Sequence, residues 1–194
     1  VVDVCAAPGG KTMYAAMLTG SEGHVISRDL IDKKTELIEE NIERLGLSNV
    51  TVQVHDAREF DEELTGKADV VIADLPCSGL GIMGRKNDIK YHVSMESVKE
   101  LAQLQREILD TVCRYVKPGG TLVYSTCTID SIENDENAVW FADTHDFSLC
   151  GIDDVVPEHG GERGFVTLHQ GIDECDGFFI SKFRADSNNQ IGQE

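Results

Sequence analysis

Short apolar runs and helical patterns alternate along this chain almost from end to end, and few folds accommodate that order. Residues 1–5 form an apolar run that ends in the turn Pro8-Gly9-Gly10, and residues 11–19 then read as a helix. A second strand signal covers 24–28. Residues 32–45 place Ile38, Ile42 and Leu45 on one helical face, with Gly46 as the terminator. Residues 50–54 alternate with period two. Residues 68–73 are continuously apolar, as expected of a strand covered on both faces. A long helix is predicted over 95–116, with Leu101, Leu104, Ile108, Val112 and Tyr115 as its apolar stripe and Lys117-Pro118-Gly119-Gly120 as its stop. A strand over 121–125, a helix over 133–142 and a late strand over 178–183 follow. Residues 151–176 carry too little periodicity to assign, and 185–194 read as a polar, frayed tail. Strands separated by helices imply a mostly parallel sheet with helices on both faces. Right-handed crossovers make that the doubly wound α/β fold.

Such sheets bind ligands at the carboxyl ends of their strands, so the residues that follow each strand are the candidates. The first strand runs into Cys5-Ala6-Ala7-Pro8-Gly9-Gly10-Lys11-Thr12. Glycines there let the backbone approach a ligand closely and open a helix. Gly10-Lys11-Thr12 has a superficial likeness to a phosphate-binding loop. That loop needs a glycine five positions before the Gly-Lys pair, and Cys5 stands there. Asp29 ends the second strand, 20 residues beyond Gly9, where a carboxylate can accept both hydroxyls of a ribose. Asp56 follows the third strand and could accept from an adenine amino group. The fourth is followed by Asp74-Leu75-Pro76-Cys77-Ser78-Gly79 and the fifth by Ser125-Thr126-Cys127-Thr128. Taken singly, each acid reads equally well as a solvated strand-end residue, and the turn as an ordinary strand-to-helix connection. Suitable groups at several strand ends together point to a ligand site. Two cysteines at neighbouring strand ends beside it point to reactive thiols.

The remaining cysteines carry less. No pair has Cys-x-x-Cys spacing and none lies at metal-ligand distance from histidine, so no metal is expected. Cys113 and Cys150 read as small buried hydrophobes. The apolar runs are too short to span a membrane, and no leader pattern opens the chain. A reducing cytosol is the expected compartment. Val1 stands inside the first strand signal, so we expect an upstream segment. The formal charge of −18 is opposite in sign to what phosphate binding needs. Arg85, Lys86 and Lys90 form one small basic cluster.

Together these motifs resemble the Nol/Nop/Sun family of RNA cytosine-5 methyltransferases, and within it the bacterial 16S ribosomal RNA enzymes of the Sun/Fmu (RsmB) type. The resemblance rests on Asp3 through Thr12, Asp74 through Gly79, and Tyr124-Ser125-Thr126-Cys127-Thr128. Asp88-Ile89-Lys90-Tyr91, residues 101–105, Glu133-Asn134-Asp135-Glu136 and Asp176-Gly177-Phe178-Phe179 extend it. It covers residues 1 to about 184, in order. It implies a Rossmann-like fold with an antiparallel late strand, and one catalytic domain over 1–184 followed by a polar flexible tail over 185–194. It implies S-adenosylmethionine bound by Cys5, Ala6, Ala7, Pro8, Gly9, Gly10, Lys11, Asp29, Asp56 and Asp74. Cys127 becomes the nucleophile, Cys77 the helper in breakdown of the adduct, and Asp74 a catalytic carboxylate. Lys11 is left with three readings: cofactor contact, partner of Asp74, or orientation of substrate.

The implied partner is RNA, 16S rRNA in the first place, handled by a monomer in the cytoplasm. Residues 84–88 depart from a stretch that more often carries two arginines and a proline, so backbone contacts to RNA there are in doubt. Members usually carry an amino-terminal RNA-binding region that is absent here; it would supply the basic surface this chain lacks. Other readings are a methyltransferase on another RNA, a protein or a small molecule, and a non-catalytic RNA-assembly module. The paired cysteines argue against the last, and an absent G-x-G-x-x-G against a dinucleotide dehydrogenase.

Overall fold

The structure is a computed structural model, and it describes residues 1–152 and 163–187. The elements in chain order are β1 (Val2–Asp3), α1 (Gly10–Thr19), β2 (Val25–Asp29), α2 (Asp32–Leu45), β3 (Val50–Val54), β4 (Ala68–Asp74), α3 (Ile89–His92), α4 (Met95–Val112), β5 (Val116–Thr126), α5 (Asp135–Thr144), β6 (Phe147–Leu149), β7 (Phe165–Leu168) and β8 (Phe178–Ala185). The strand order is β3-β2-β1-β4-β5-β8-β6, with β7 paired to β8. Strands β1 to β5 pair in parallel, and β8 joins β5 antiparallel, with Thr126 opposite Phe179. Strand order reverses direction between β1 and β4, so the ligand crevice of a doubly wound sheet falls beside those two strand ends.

The larger core fills the side of the sheet covered by α4 and α5. Ile108, Leu109 and Val112 of α4 and Ala138 and Phe141 of α5 pack on Val71, Ala73, Leu122, Tyr124, Phe179 and Phe183. A smaller cluster of Ala6, Met13 and Ile38 joins α1 and α2 to the opposite side. Helix α2 ends where the sequence predicts, at Gly46 in the left-handed conformation, φ 64°. Leu45, expected on the apolar face, is 40% exposed, because the helix contacts the sheet through Ile38 and Ile42.

Three boundaries differ from the sequence reading. Helix α4 ends at Val112, and residues 113–115 tighten into a short 3₁₀ turn. Tyr115 thereby leaves the helical stripe, stacks on Phe60 with centroids 5.8 Å apart, and accepts the Asp61 N–H at 3.1 Å. Strand β5 begins at Val116 and runs through Lys117-Pro118-Gly119-Gly120, with a register shift opposite Ala68 to Val70. Proline and glycine are tolerated there because the irregular pairing asks for few ladder bonds. Helix α5 begins at Asp135, so Glu133 and Asn134 lie in the turn before it. The unassigned stretch contributes β7 and lies next to β6, which the sequence reading missed; residues 153–162 of it fall outside the described residues. Ala185 closes β8 and is buried, so it is no part of a tail. Of the expected tail, residues 188–194 also fall outside. Cys113 is buried as expected, whereas Cys150, at the open end of β6, is only half-buried.

Candidate functional site

A cleft of about 460 Å³ lies at the carboxyl ends of β1, β2, β3 and β4. Cys5, Ala7, Asp29, Asp56 and Asp74 line it with Leu30, Ile31, Leu75 and Ile108. Its size falls in the range of small-molecule sites, about 300 to 1,000 Å³. Asp29 is held rigidly, accepting the N–H groups of Ala7 at 3.2 Å and Ile31 at 3.3 Å, with Lys34 Nζ at 3.9 Å. Asp56 is turned toward Arg58, which reaches Oδ2 at 2.6 Å and holds its carboxyl below the usual range by hydrogen bonding. The chemistry of this donor set fits a nucleoside carrying a cation: carboxylates face hydroxyls, an amino group and positive charge, and apolar side chains face a ring. S-adenosylmethionine is such a molecule.

The remaining residues of the predicted binding turn shape it and do not line the cleft. Gly9 adopts φ +100° and passes so close to α2 that a Cβ would meet Ile38 Cγ2 at 3.4 Å. The Pro8 carbonyl accepts from Asn41 at 3.0 Å, Ala6 is buried against α2, and Gly10 opens α1. Lys11 points to the other side of the cleft. Its Nζ meets Asp74 Oδ2 at 2.7 Å and lies 5.2 Å from the Phe178 ring centre. Of its three readings, the structure shows the pairing with Asp74. Ser125 donates to the other oxygen, Oδ1, at 2.7 Å. Both neighbours come from other elements, so Asp74 is fixed between α1 and β5.

Next to Asp74, the turns after β4 and β5 bring Cys77 Sγ and Cys127 Sγ to 3.3 Å. They are 50 residues apart in sequence, and parallel pairing of Asp74 with Ser125 sets their register. The two thiols are not equivalent. A hydrogen bond from Cys77 brings the Cys127 thiol down to about 7, against burial and Asp74, with help from Lys86. The same bond, together with burial, pushes Cys77 far up. With Cys77 as the S–H donor of that contact, Cys127 is the sulfur whose ionisation is favoured. Among the described residues no cluster of three metal-ligating side chains occurs.

Beneath the thiols lies a buried polar network that the sequence reading left without a role. Glu133 is fully buried; its Oε1 accepts the Ser78 N–H and Gln105 Nε2, each at 2.9 Å, and its Oε2 accepts the Ser78 hydroxyl. Ser78 Oγ meets Thr128 Oγ1 at 2.8 Å. Gln105 also donates to Pro76 O at 2.9 Å, and its Oε1 accepts from Tyr124 at 3.0 Å and Asn137 at 2.9 Å. Gly81 completes the assembly. Its N–H donates to Cys127 O at 3.0 Å and its carbonyl accepts from Gly177 at 2.8 Å, and a Cβ on it would lie 2.1 Å from Gly177 O.

A model of the family described as 16S rRNA methyltransferase RsmB/F matches residues 1–184. This chain belongs to that family. It is 35% identical over 189 residues to ribosomal RNA small subunit methyltransferase F of Escherichia coli O7:K1, covering 95% of this chain and 40% of that protein. The chain thus spans well under half the length of the curated relatives it matches. The crystal structure of PH0851 superposes with a TM-score of 0.88 at 33% identity, over 94% of this chain and 41% of that one. NSun6 from Pyrococcus horikoshii with SFG superposes at 0.80 and 29% identity, over 94% and 47%. A SAM-dependent O-methyltransferase from Thermotoga maritima, 14% identical with a TM-score of 0.60 over 95% of this chain and 58% of that one, shares the fold alone. The sheet is accordingly the Rossmann-like fold of S-adenosylmethionine-dependent methyltransferases.

Proposed function

We propose that residues 1–184 are the catalytic domain of an enzyme that moves a methyl group from S-adenosylmethionine to carbon 5 of a cytosine in RNA, 16S rRNA in the first place. The observation that carries this is the pair of thiols at 3.3 Å beside Asp74, at the edge of a nucleoside-sized acidic cleft. A methyltransferase whose substrate is already nucleophilic has no use for such a pair.

Carbon 5 of cytosine is a poor nucleophile. Cys127, with its thiol near 7, provides a thiolate at neutral pH. The thiolate adds to carbon 6, and the ring electrons shift toward carbon 5, which then takes the methyl group. The cofactor supplies that methyl group, and Cys5, Ala7, Asp29, Asp56 and Asp74 would hold it. Asp74 is placed to accept a hydrogen bond from the cytosine edge near ring nitrogen 3, with Lys11 and Ser125 fixing its two oxygens. A base then takes the carbon 5 proton, and the electrons of that C–H bond restore the ring double bond as the C6–S bond to Cys127 breaks. Cys77, released from Cys127 while that sulfur is bonded to carbon 6, is the group closest to the leaving sulfur and assists this step. The target base must leave its stack to reach the turn.

The acidic balance fits an RNA-binding region elsewhere in a longer protein that presents RNA to this domain. Arg85, Lys86 and Lys90 supply local positive charge, and Arg85 is partly engaged by Asp176 at 2.7 Å. The domain acts as a monomer in the cytoplasm on this reading, and among the described residues no helix is long and apolar enough to cross a membrane.

The test is an adduct assay with unmethylated small-subunit rRNA and cofactor. A covalent RNA–protein species should accumulate with Cys77→Ala and vanish with Cys127→Ala. A chain that binds no S-adenosylmethionine by calorimetry, or an adduct that survives Cys127→Ala, removes the reading.

A further inference from the structure

The network beneath the two thiols contains a carboxylate whose contacts all point one way. Glu133 accepts three hydrogen bonds, two of them from Ser78, the residue next to Cys77. The Ser78 proton is committed to Glu133, so the Ser78–Thr128 contact at 2.8 Å must be donated by Thr128. A polarised chain therefore runs from Thr128, the neighbour of Cys127, through Ser78 to Glu133. Among the described residues Glu133 has no ion-pair partner; Arg106, the nearest cation in the network, is bound to Asn137 Oδ1 at 2.7 Å. Removing a carboxylate from water without a cation is costly, and a core of apolar groups would be cheaper. Its hydrogen bonds from Ser78, and from the Gln105 that also binds Pro76 O, tie it to the residues on either side of Cys77, and that placement suggests what it does.

We propose that Glu133 is a positioning residue that decides which of the two sulfurs carries the negative charge, by placing a buried carboxylate beneath the Cys77 turn so that the thiolate resides on Cys127. The inference rests on the reading of Cys127 as nucleophile. A pair of thiols at hydrogen-bond distance shares one negative charge, and its location follows the local field. The charged groups that face the pair come from four elements. Lys86, in the segment before α3, favours charge on Cys127. Asp74, at the end of β4 with Lys11 of α1 bound to it, opposes charge there. Glu133, in the turn before α5, opposes charge on Cys77. Tyr124 of β5, hydrogen bonded to the Glu133 carbonyl, stays neutral because burial pushes its hydroxyl up. Without Glu133, the field that separates the two sulfurs loses a negative charge that opposes ionisation of Cys77, beside the larger effects of the Cys127 contact and burial.

The experiment uses neither RNA nor cofactor, so its failure is separable from failure of the proposed activity. Limiting iodoacetamide is added to the chain at pH 7.5, and the alkylated peptides containing Cys77 and Cys127 are quantified by mass spectrometry. Wild type should modify Cys127 in preference. Glu133→Gln keeps the shape of the side chain and removes its charge. It should lower the Cys127-to-Cys77 ratio about tenfold, the factor that one pKa unit represents. Ser78→Ala removes a hydrogen bond to Glu133 but not its charge, and should lower the ratio by clearly less than Glu133→Gln does. An unchanged ratio in Glu133→Gln, or an equal drop in Ser78→Ala, overturns the proposal. If Glu133→Gln does not fold, Glu133→Asp takes its place, keeping the charge but withdrawing it by one methylene. The ratio should then fall by less than about tenfold, and an unchanged ratio would overturn the proposal.

Discussion

Cys5 and Cys127 occupy similar places, each just beyond the tip of a parallel strand and each near Asp74, yet Cys5 lines the cleft, Cys127 does not, and they are opposite in character. Burial, and then Asp29, Asp3 and Asp74, push the Cys5 thiol up to about 12. Cys127 faces Asp74 as well, but a donated S–H from Cys77 brings it down to about 7. Position at a strand end gives a side chain access to ligand. A second sulfur at hydrogen-bond distance is what sets Cys127 apart from Cys5. Asp29, Asp56 and Asp74 line the cleft, the neighbouring turns hold the thiol pair, and Asp74 adjoins both.

The contrast can be broken most severely at Cys127 itself. Cys127→Ala should reduce methyl transfer by about 10³-fold or more, the scale on which loss of a nucleophile acts. Cys5→Ala should leave turnover within an order of magnitude, both measured as tritium transfer into rRNA. Alkylation sharpens the same comparison. At pH 7 Cys127 should react about 10² to 10³ times faster than Cys5, once the lower intrinsic nucleophilicity of the more acidic thiol is set against its larger thiolate fraction. The Cys127 rate should rise with pH through about 7.

A smaller effect tests the acceptor side. Asp3 lies beneath the cleft, fully buried, with Thr12 donating to Oδ2 at 2.7 Å while Oδ1 has no partner, and burial raises its carboxyl to about 6. A raised acid destabilises the fold once it must ionise. The penalty is absent below about pH 4 and grows as pH rises through about 6. Asp3→Asn should therefore stabilise the chain at pH 7.5 by up to about 3 kcal/mol, about 1.4 per pKa unit. It should do nothing near pH 3.5, where thermal unfolding of the two proteins should coincide. The smallest effect is expected at Asp29. Asp29→Asn should weaken S-adenosylmethionine by about tenfold in calorimetry, the loss of a charge-assisted hydrogen bond. It should leave Cys127 alkylation unchanged; a large fall in that rate would show that the two halves of the site are coupled.

The alternation of apolar runs with helical periods was enough to read the parallel sheet, because strands buried on both faces leave long apolar runs and α2 ends in a glycine that adopts φ 64°. The start of β5 was not legible. Lys117-Pro118-Gly119-Gly120 reads as a turn in any local scheme, and only irregular pairing with β4 makes it a strand. Cys77, Cys127 and Asp74 were legible as strand-end residues, whereas the distinction between the two thiols depends on a 3.3 Å contact across 50 residues of sequence. Glu133 read only as one residue of a family motif at the start of a helix, and Asn137 had no role in the sequence reading. One signal did point to the network: Gln105 interrupts the stripe of Leu101, Leu104 and Ile108 with an amide on the buried face, and a polar group in that place needs buried partners.

The contact between Gly81 and Gly177 has a consequence of its own. The Cys127 turn, the loop after Cys77 and the entry to β8 share one point of clearance narrower than a methyl group. The addition of one carbon at Gly81 would force these three segments apart without touching a sulfur or a carboxylate. Substitution at either glycine therefore displaces the main chain that carries Cys127, while the ligand cleft, which neither glycine lines, keeps its walls.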